Sequence, residues 1–355
     1  LLPLKKEGQK IALIGALASD KTSPLGNWRI AAEDNSAVSV LEGLNQYKGN
    51  TVTYSKGAEV SIGKTEFAFE ITVNETDKSE FSKAIEVAKK SDVVVMVLGE
   101  HGYQSGEGRS RTDLGLPGFQ QELLEAVHKV NPNIILVLMN GRPLDLSEED
   151  ILADAILETW FPGTMGGNGV ADVLFGKHNP SGKLTVTFPR NLGQVPIYYN
   201  MKNTGRPIPA NDPKEDYKSN YIDSPNTPLY PFGHGLSYTT FKYSNFKLSS
   251  TSIGFSDTLT ASATVTNTGN YDGHEVVQLY IHDKVGSVTR PVKELKGFEK
   301  IYLKKGESKT VSFNLTVEDL KFYNSKIEFT VEPGEFEIAI KGTSDFGFEH
   351  LFTLE

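Results

Sequence analysis

Hydrophobic positions along this chain keep two different rhythms. In the first half, short apolar runs alternate with helical spacings. Lys10 to Gly15 is an apolar run closed by glycine, the form of a buried parallel strand. Val40, Leu41 and Leu44 predict a helix within Ser36 to Tyr47, and Thr51 to Tyr54 a second strand. Phe81, Ile85 and Ala88 share one face of a helix over Ser79 to Lys90. Asp92 to Leu98 is the strongest strand signal in the chain. An amphipathic helix over Phe119 to Val130, an apolar strand over Asn133 to Met139, a strand starting at Ala155 and a helix over Gly166 to Phe175 complete the series. This alternation predicts an α/β domain over residues 1–189, a mostly parallel sheet sandwiched by helices.

The rhythm stops near Pro189. Residues 190–240 are rich in Pro, Asn, Gly and Tyr with little periodicity. A flexible tether is one reading. The aromatic content, including Tyr198, Tyr199, Tyr217, Tyr221 and Tyr230, favours an ordered extended linker packed across domain surfaces. From Phe241 to Glu355 the pattern is all strand. Thr258 to Thr266, Glu275 to Ile281, Ser308 to Leu315 and Phe336 to Ile340 alternate between glycine-containing turns. That predicts an immunoglobulin-like β-sandwich.

Composition narrows the function classes. The net charge of -9 over 355 residues argues against phosphate-driven nucleic-acid binding and offers no basic face to an anionic membrane. Neutral sugars need neither sign. With no cysteine, disulfides, thiolate metal sites and cysteine nucleophiles fall away. No apolar run reaches membrane-span length. Leu1 to Lys6 lacks the core of a signal peptide and reads as a join to something upstream.

An open parallel sheet binds ligands at the C-terminal ends of its strands. The segment leaving the strongest strand, Glu100 to Asp113, is long for such a connection and holds Glu100, His101, Tyr103, Glu107, Arg109 and Arg111. Glycoside cleavage uses a carboxyl pair, one member protonated to assist the leaving oxygen. Either Glu100 or Glu107 could serve. Glu107 lies between glycines that let its backbone take an exposed path; Glu100 sits where a carboxylate often anchors loop hydrogen bonds. The competing reading makes both glutamates structural partners of Arg109 and Arg111, with Asp113 a further partner. Gly163 to Gly169 could cradle phosphate, but it lacks the lysine and spacing of nucleotide sites, so a tight strand-to-helix turn is preferred. His101 and His128 form no metal spacing, His234 reads as packed in a turn, and no metal or cofactor is expected. No serine elbow is present.

Several motifs together resemble glycoside hydrolase family 3, in particular its bacterial periplasmic β-glucosidases. They are Lys10 to Gly15, Ser91 to Gly99, Ser110-Arg111-Thr112-Asp113, Leu138 to Leu144, Ala155 to Pro162, Gly166 to Gly176 and Asn179 to Leu184. Leu229 to Phe241, Val265 to Gly269 and Arg290 to Phe298 resemble the entry to, and parts of, that family's fibronectin type III-like domain.

The resemblance implies a retaining, exo-acting β-glucosidase that removes terminal β-D-glucosyl residues from oligosaccharides or aryl β-glucosides, with β-xylosidase or a non-catalytic carbohydrate-binding module as alternatives. It implies an aspartate nucleophile on an N-terminal barrel outside this sequence, supplied by the same precursor or by a second chain. It places the general acid/base at Glu107, a few residues before Ser110-Arg111-Thr112-Asp113. Glu100, His101, Tyr103, Arg109 and Arg111 are left to substrate binding or loop shaping. A periplasmic or secreted location follows from the same resemblance.

Overall fold

The computed structural model describes residues 1–29, 31–66, 69–208 and 217–355. The chain divides into two compact units, one of residues 1–178 and 191–193, the other of residues 179–190 and 194–355. Part of the expected linker, residues 209–216, lies outside the described residues. Among the described residues no helix is long and apolar enough to cross a membrane.

The first unit is built on five parallel strands: β1 (Lys10–Ile14), β2 (Thr51–Ser55), β3 (Val93–Gly99), β4 (Ile134–Met139) and β5 (Ala155–Glu158). Their order across the sheet is β2-β1-β3-β4-β5. Every residue of β3 and β4 is buried, which is why both read as unbroken apolar runs. The helices are α1 (Val40–Leu44), α2 (Phe81–Lys89), α3 (Gln120–His128), α4 (Glu149–Leu152) and α5 (Gly166–Leu174). Val40, Leu44, Val170 and Leu174 from α1 and α5 join one core with Ile11, Leu13, Val95 and Val137 of the sheet. Helices α2 and α3 touch each other and reach the sheet through β1, β2 and β3.

Helix α1 is shorter than its apolar spacing suggests. Ser39 and Glu42 form a reciprocal capping box that sets its start. Gly167, near the start of α5, serves helix packing. A Cβ on Gly167 would stand 2.0 Å from the Ser39 carbonyl oxygen, so only glycine allows α1 and α5 to pass this closely.

Strand order places a topological switch between β1 and β3: the chain leaves β1 toward one edge of the sheet and leaves β3 toward the other. Open parallel sheets bind ligands outside the carboxyl ends of strands at such a point. The connections leaving β1 and β3 meet at that end, where the Gly102 N–H donates to Ser23 Oγ.

The second unit holds two antiparallel layers. One has the order β11-β8-β6 and the other β10-β9-β12-β13-β7. These strands are β6 (Phe241–Leu248), β7 (Ser252–Ile253), β8 (Leu259–Asn267), β9 (Gly273–Asp283), β10 (Glu294–Leu303), β11 (Ser308–Leu315), β12 (Gly334–Lys341) and β13 (His350–Leu354). The short β7 pairs parallel to β13. Strict inward alternation along β8 supplies Leu259, Ala261, Ala263 and Val265 to a core shared with Val277, Leu279, Ile338 and Phe352. The Asn267-Thr268-Gly269 turn is held by Asn267, fully buried, which donates to the carbonyls of Tyr271 and Leu303 and accepts from Thr239 at 2.6 Å. Tyr199 stacks on Phe232 at 4.2 Å and meets Tyr280 edge-on, so this part of the 190–240 stretch packs within the unit.

Candidate active site

Strand β3 ends at Gly99, whose φ of 138° and approach to the Met139 carbonyl exclude a side chain. The next residue is Glu100. Its backbone N–H donates to Met139 at 2.8 Å, and its side chain is wholly buried. Glu100 Oε1 lies 3.1 Å from Arg111 Nη1 and 2.9 Å from Arg142 Nε, while Oε2 accepts from the Gly141 N–H at 3.2 Å. The Arg142 contact is too poorly aligned to be a hydrogen bond, so its contribution is Coulombic. With both oxygens committed to cations and backbone, Glu100 is a clamp: it ties the loop's far end, through Arg111, to the end of the neighbouring strand, through Arg142.

His101 opens a short turn over Gly102–Gln104. Its backbone N–H donates to Gln104 Oε1 at 2.8 Å, and its Nδ1 accepts from the Tyr103 N–H at 3.2 Å. Burial holds the imidazole below its ordinary pKa, which keeps it neutral and able to accept that bond. Tyr103 is buried, with the Arg29 guanidinium 4.7 Å over its ring. Arg109 donates to the carbonyls of Tyr103 and Phe69, both at 3.2 Å. Of the carboxylate partners expected for the two arginines, the described residues supply one for Arg111, and it is Glu100. Asp113 instead accepts from the Gly115 N–H at 2.8 Å and closes its own turn.

Glu107 stands apart from these contacts. It is exposed, and among the described residues its carboxylate has no ion-pair partner. The flanking Gly106 and Gly108 have φ of 111° and 67°, a backbone path open to glycine that turns the intervening side chain outward. A Cβ on Gly106 would collide with the Asn27 side chain from the β1 connection.

The same sheet edge holds groups the sequence did not single out. Glu158 ends β5, accepts from the Trp160 N–H at 2.7 Å and from Asn140 Nδ2 at 3.2 Å, and burial pushes its carboxyl up to about 7. Trp160 takes a left-handed backbone with φ 51°. Parallel register explains the gathering: Gly99 pairs with Met139 and Leu138 with Glu158, so three consecutive strand ends meet. Glu158 is the last residue of an apolar strand and Arg142 lies three residues beyond another, and that placement was the available signal for both.

The model for the glycosyl hydrolase family 3 C-terminal domain matches residues 1–238, and that for the fibronectin type III-like domain matches residues 275–344. A periplasmic beta-glucosidase of Salmonella typhimurium is 47% identical over 348 residues, spanning 96% of this chain and 45% of that protein. A beta-xylosidase of Formosa agariphila is 43% identical over 97% of this chain and 46% of that protein. Among solved structures, a beta-glucosidase from Listeria innocua in complex with isofagomine superposes with a TM-score of 0.88 at 38% identity, covering 100% of this chain and 47% of that one. The chain thus spans about half the length of the curated relatives it matches.

Proposed function

The chain belongs to glycosyl hydrolase family 3, carrying that family's C-terminal domain and a fibronectin type III-like domain, and from that premise we propose that it supplies the general acid/base of a retaining β-glucosidase whose nucleophile comes from an N-terminal barrel. The observation that carries the reading is the contrast between the two glutamates of one loop. Glu100 is buried and spent on two arginines, whereas Glu107 is exposed between left-handed glycines and free to reach a substrate.

In the proposed reaction the Glu107 carboxyl donates its proton to the glycosidic oxygen as the bond to the anomeric carbon breaks. An aspartate of the barrel forms the glycosyl ester. Glu107, now a carboxylate, takes a proton from the water that displaces the ester and so returns to its starting state. Retention requires the two carboxyl groups to stand about 5–5.5 Å apart. An exposed, glycine-hinged residue suits a group that must meet a partner from another domain. The substrates are terminal β-D-glucosyl residues of oligosaccharides or aryl β-glucosides, and the site of action is periplasmic or secreted, as the name of the Salmonella relative suggests.

A β-xylosidase is the second reading, favoured by the Formosa relative of that name. Assay of the complete polypeptide on aryl β-glucosides and β-xylosides decides between them. The 355-residue chain expressed alone is expected to hydrolyse neither. Robust turnover by it would overturn the proposal, since a lone proton donor contributes only about 10²–10⁴-fold.

A further inference from the structure

The connection leaving β1 carries a second network that the reaction as written does not use. Asp20 accepts from the backbone N–H groups of Thr22 at 2.7 Å and Ser23 at 3.2 Å, and its other oxygen accepts from Ser23 Oγ at 2.5 Å. The Ser23 hydroxyl proton is thereby committed to Asp20. Its oxygen lone pairs are left to accept, and the Gly102 N–H donates to them at 3.1 Å. Ser23 is fully buried, and a Cβ on Gly102 would stand 3.0 Å from the Ser23 Cα, so the two connections touch backbone to backbone here. Gly102 is the first residue of the turn from which the Glu107 loop departs.

We propose that Asp20 and Ser23 are positioning residues for Glu107, acting through Gly102: the connection leaving β1 sets where the acid/base loop leaves β3. The inference rests on the acid/base role proposed for Glu107. Its logic is that of an anchored lever. The Glu100–Arg111 clamp holds the loop's far end, the Asp20–Ser23–Gly102 relay holds its near end, and Glu107 lies between the two anchors. Removing the near anchor leaves the Gly102 N–H buried without its acceptor and lets the loop shift. A displacement of about 1 Å at a reacting group costs on the order of 10²-fold in rate.

The test uses the complete enzyme with Ser23→Ala, Asp20→Asn and Glu107→Ala, reading kcat/KM over aryl β-glucosides of graded leaving-group pKa, together with thermal unfolding. Asp20→Asn keeps an acceptor for the two N–H groups and alters chiefly the Ser23 hydroxyl bond, so it stands in if Ser23→Ala fails to fold. The expected result is a loss of about 10- to 100-fold on poor leaving groups with little change on the most activated one, because only the former need the proton in the first step. A purely structural role would lower all substrates alike in step with stability, and that outcome, or no loss at all, overturns the inference. Glu107→Ala separates the two levels. If it shows the leaving-group dependence and the Asp20 and Ser23 variants do not, positioning fails alone. If Glu107→Ala lacks it, the acid/base assignment falls and the inference with it.

Discussion

Glu100 Oε1 lies 3.1 Å from Arg111 Nη1, joining a fully buried carboxylate to a guanidinium that is itself mostly shielded. Such a pair is costly to break from one side, because the surviving charge stays buried. Glu100→Ala strands Arg111 and Arg142 together and is expected to destabilise the first unit by about 3–5 kcal/mol. Glu107→Ala, at an exposed position, should change stability by no more than about 0.5 kcal/mol. Chemical denaturation of both variants checks this; equal losses would contradict the division of labour between the two glutamates.

Arg111→Ala is milder, since Arg142 and the Gly141 N–H remain on Glu100. Arg111 also donates to the Gly115 carbonyl at 3.1 Å, so the main effect falls on the loop. Amide exchange over residues 101–115 should quicken markedly while exchange in β3 and β4 stays close to that of the parent. Uniform acceleration across the sheet would instead mean that Arg111 supports the whole unit.

Glu158 makes a pH-dependent contribution with a definite sign. Burial raises its carboxyl from 4.5 to about 7, so the folded state binds more protons than the unfolded state between those values. Stability from this group is fully present below about pH 4.5, falls as pH rises and is lost by about pH 7. The shift corresponds to a penalty on the order of 3 kcal/mol above pH 7. Glu158→Gln, which resembles the protonated side chain, is expected to raise the melting temperature at pH 8 and leave it nearly unchanged at pH 4.5. The opposite ordering would show that the ionised carboxylate is the stabilising form.

The parallel sheet was legible because burial on both faces leaves no alternation to confuse: Val93 to Leu98 and Ile134 to Met139 could be little else. The β10 strand was harder to read, since Phe298 and Tyr302 are exposed and only Ile301 and Leu303 are buried, so its pattern does not follow polarity. At the site, the local segment around Glu107 could be read from one stretch of chain. Arg142, Glu158 and the Asp20–Ser23 pair could not, because they come from other connections and meet it only through strand order and register. Arg109 departs from the expected carboxylate pairing for a related reason: its acceptors among the described residues are backbone carbonyls, which no residue type announces.

The action of azide on Glu107→Ala in the complete enzyme tests the acid/base role of Glu107 directly. Substrates with good leaving groups should still glycosylate the nucleophile, and the intermediate should then accumulate for want of a base to activate water. Azide needs no such base. It should restore turnover and release a β-glycosyl azide, with the deepest loss of kcat/KM on the poorest leaving groups. If Glu107→Ala gives neither azide rescue nor leaving-group dependence while Glu100→Ala gives both, the acid/base is Glu100 and the central assignment is wrong.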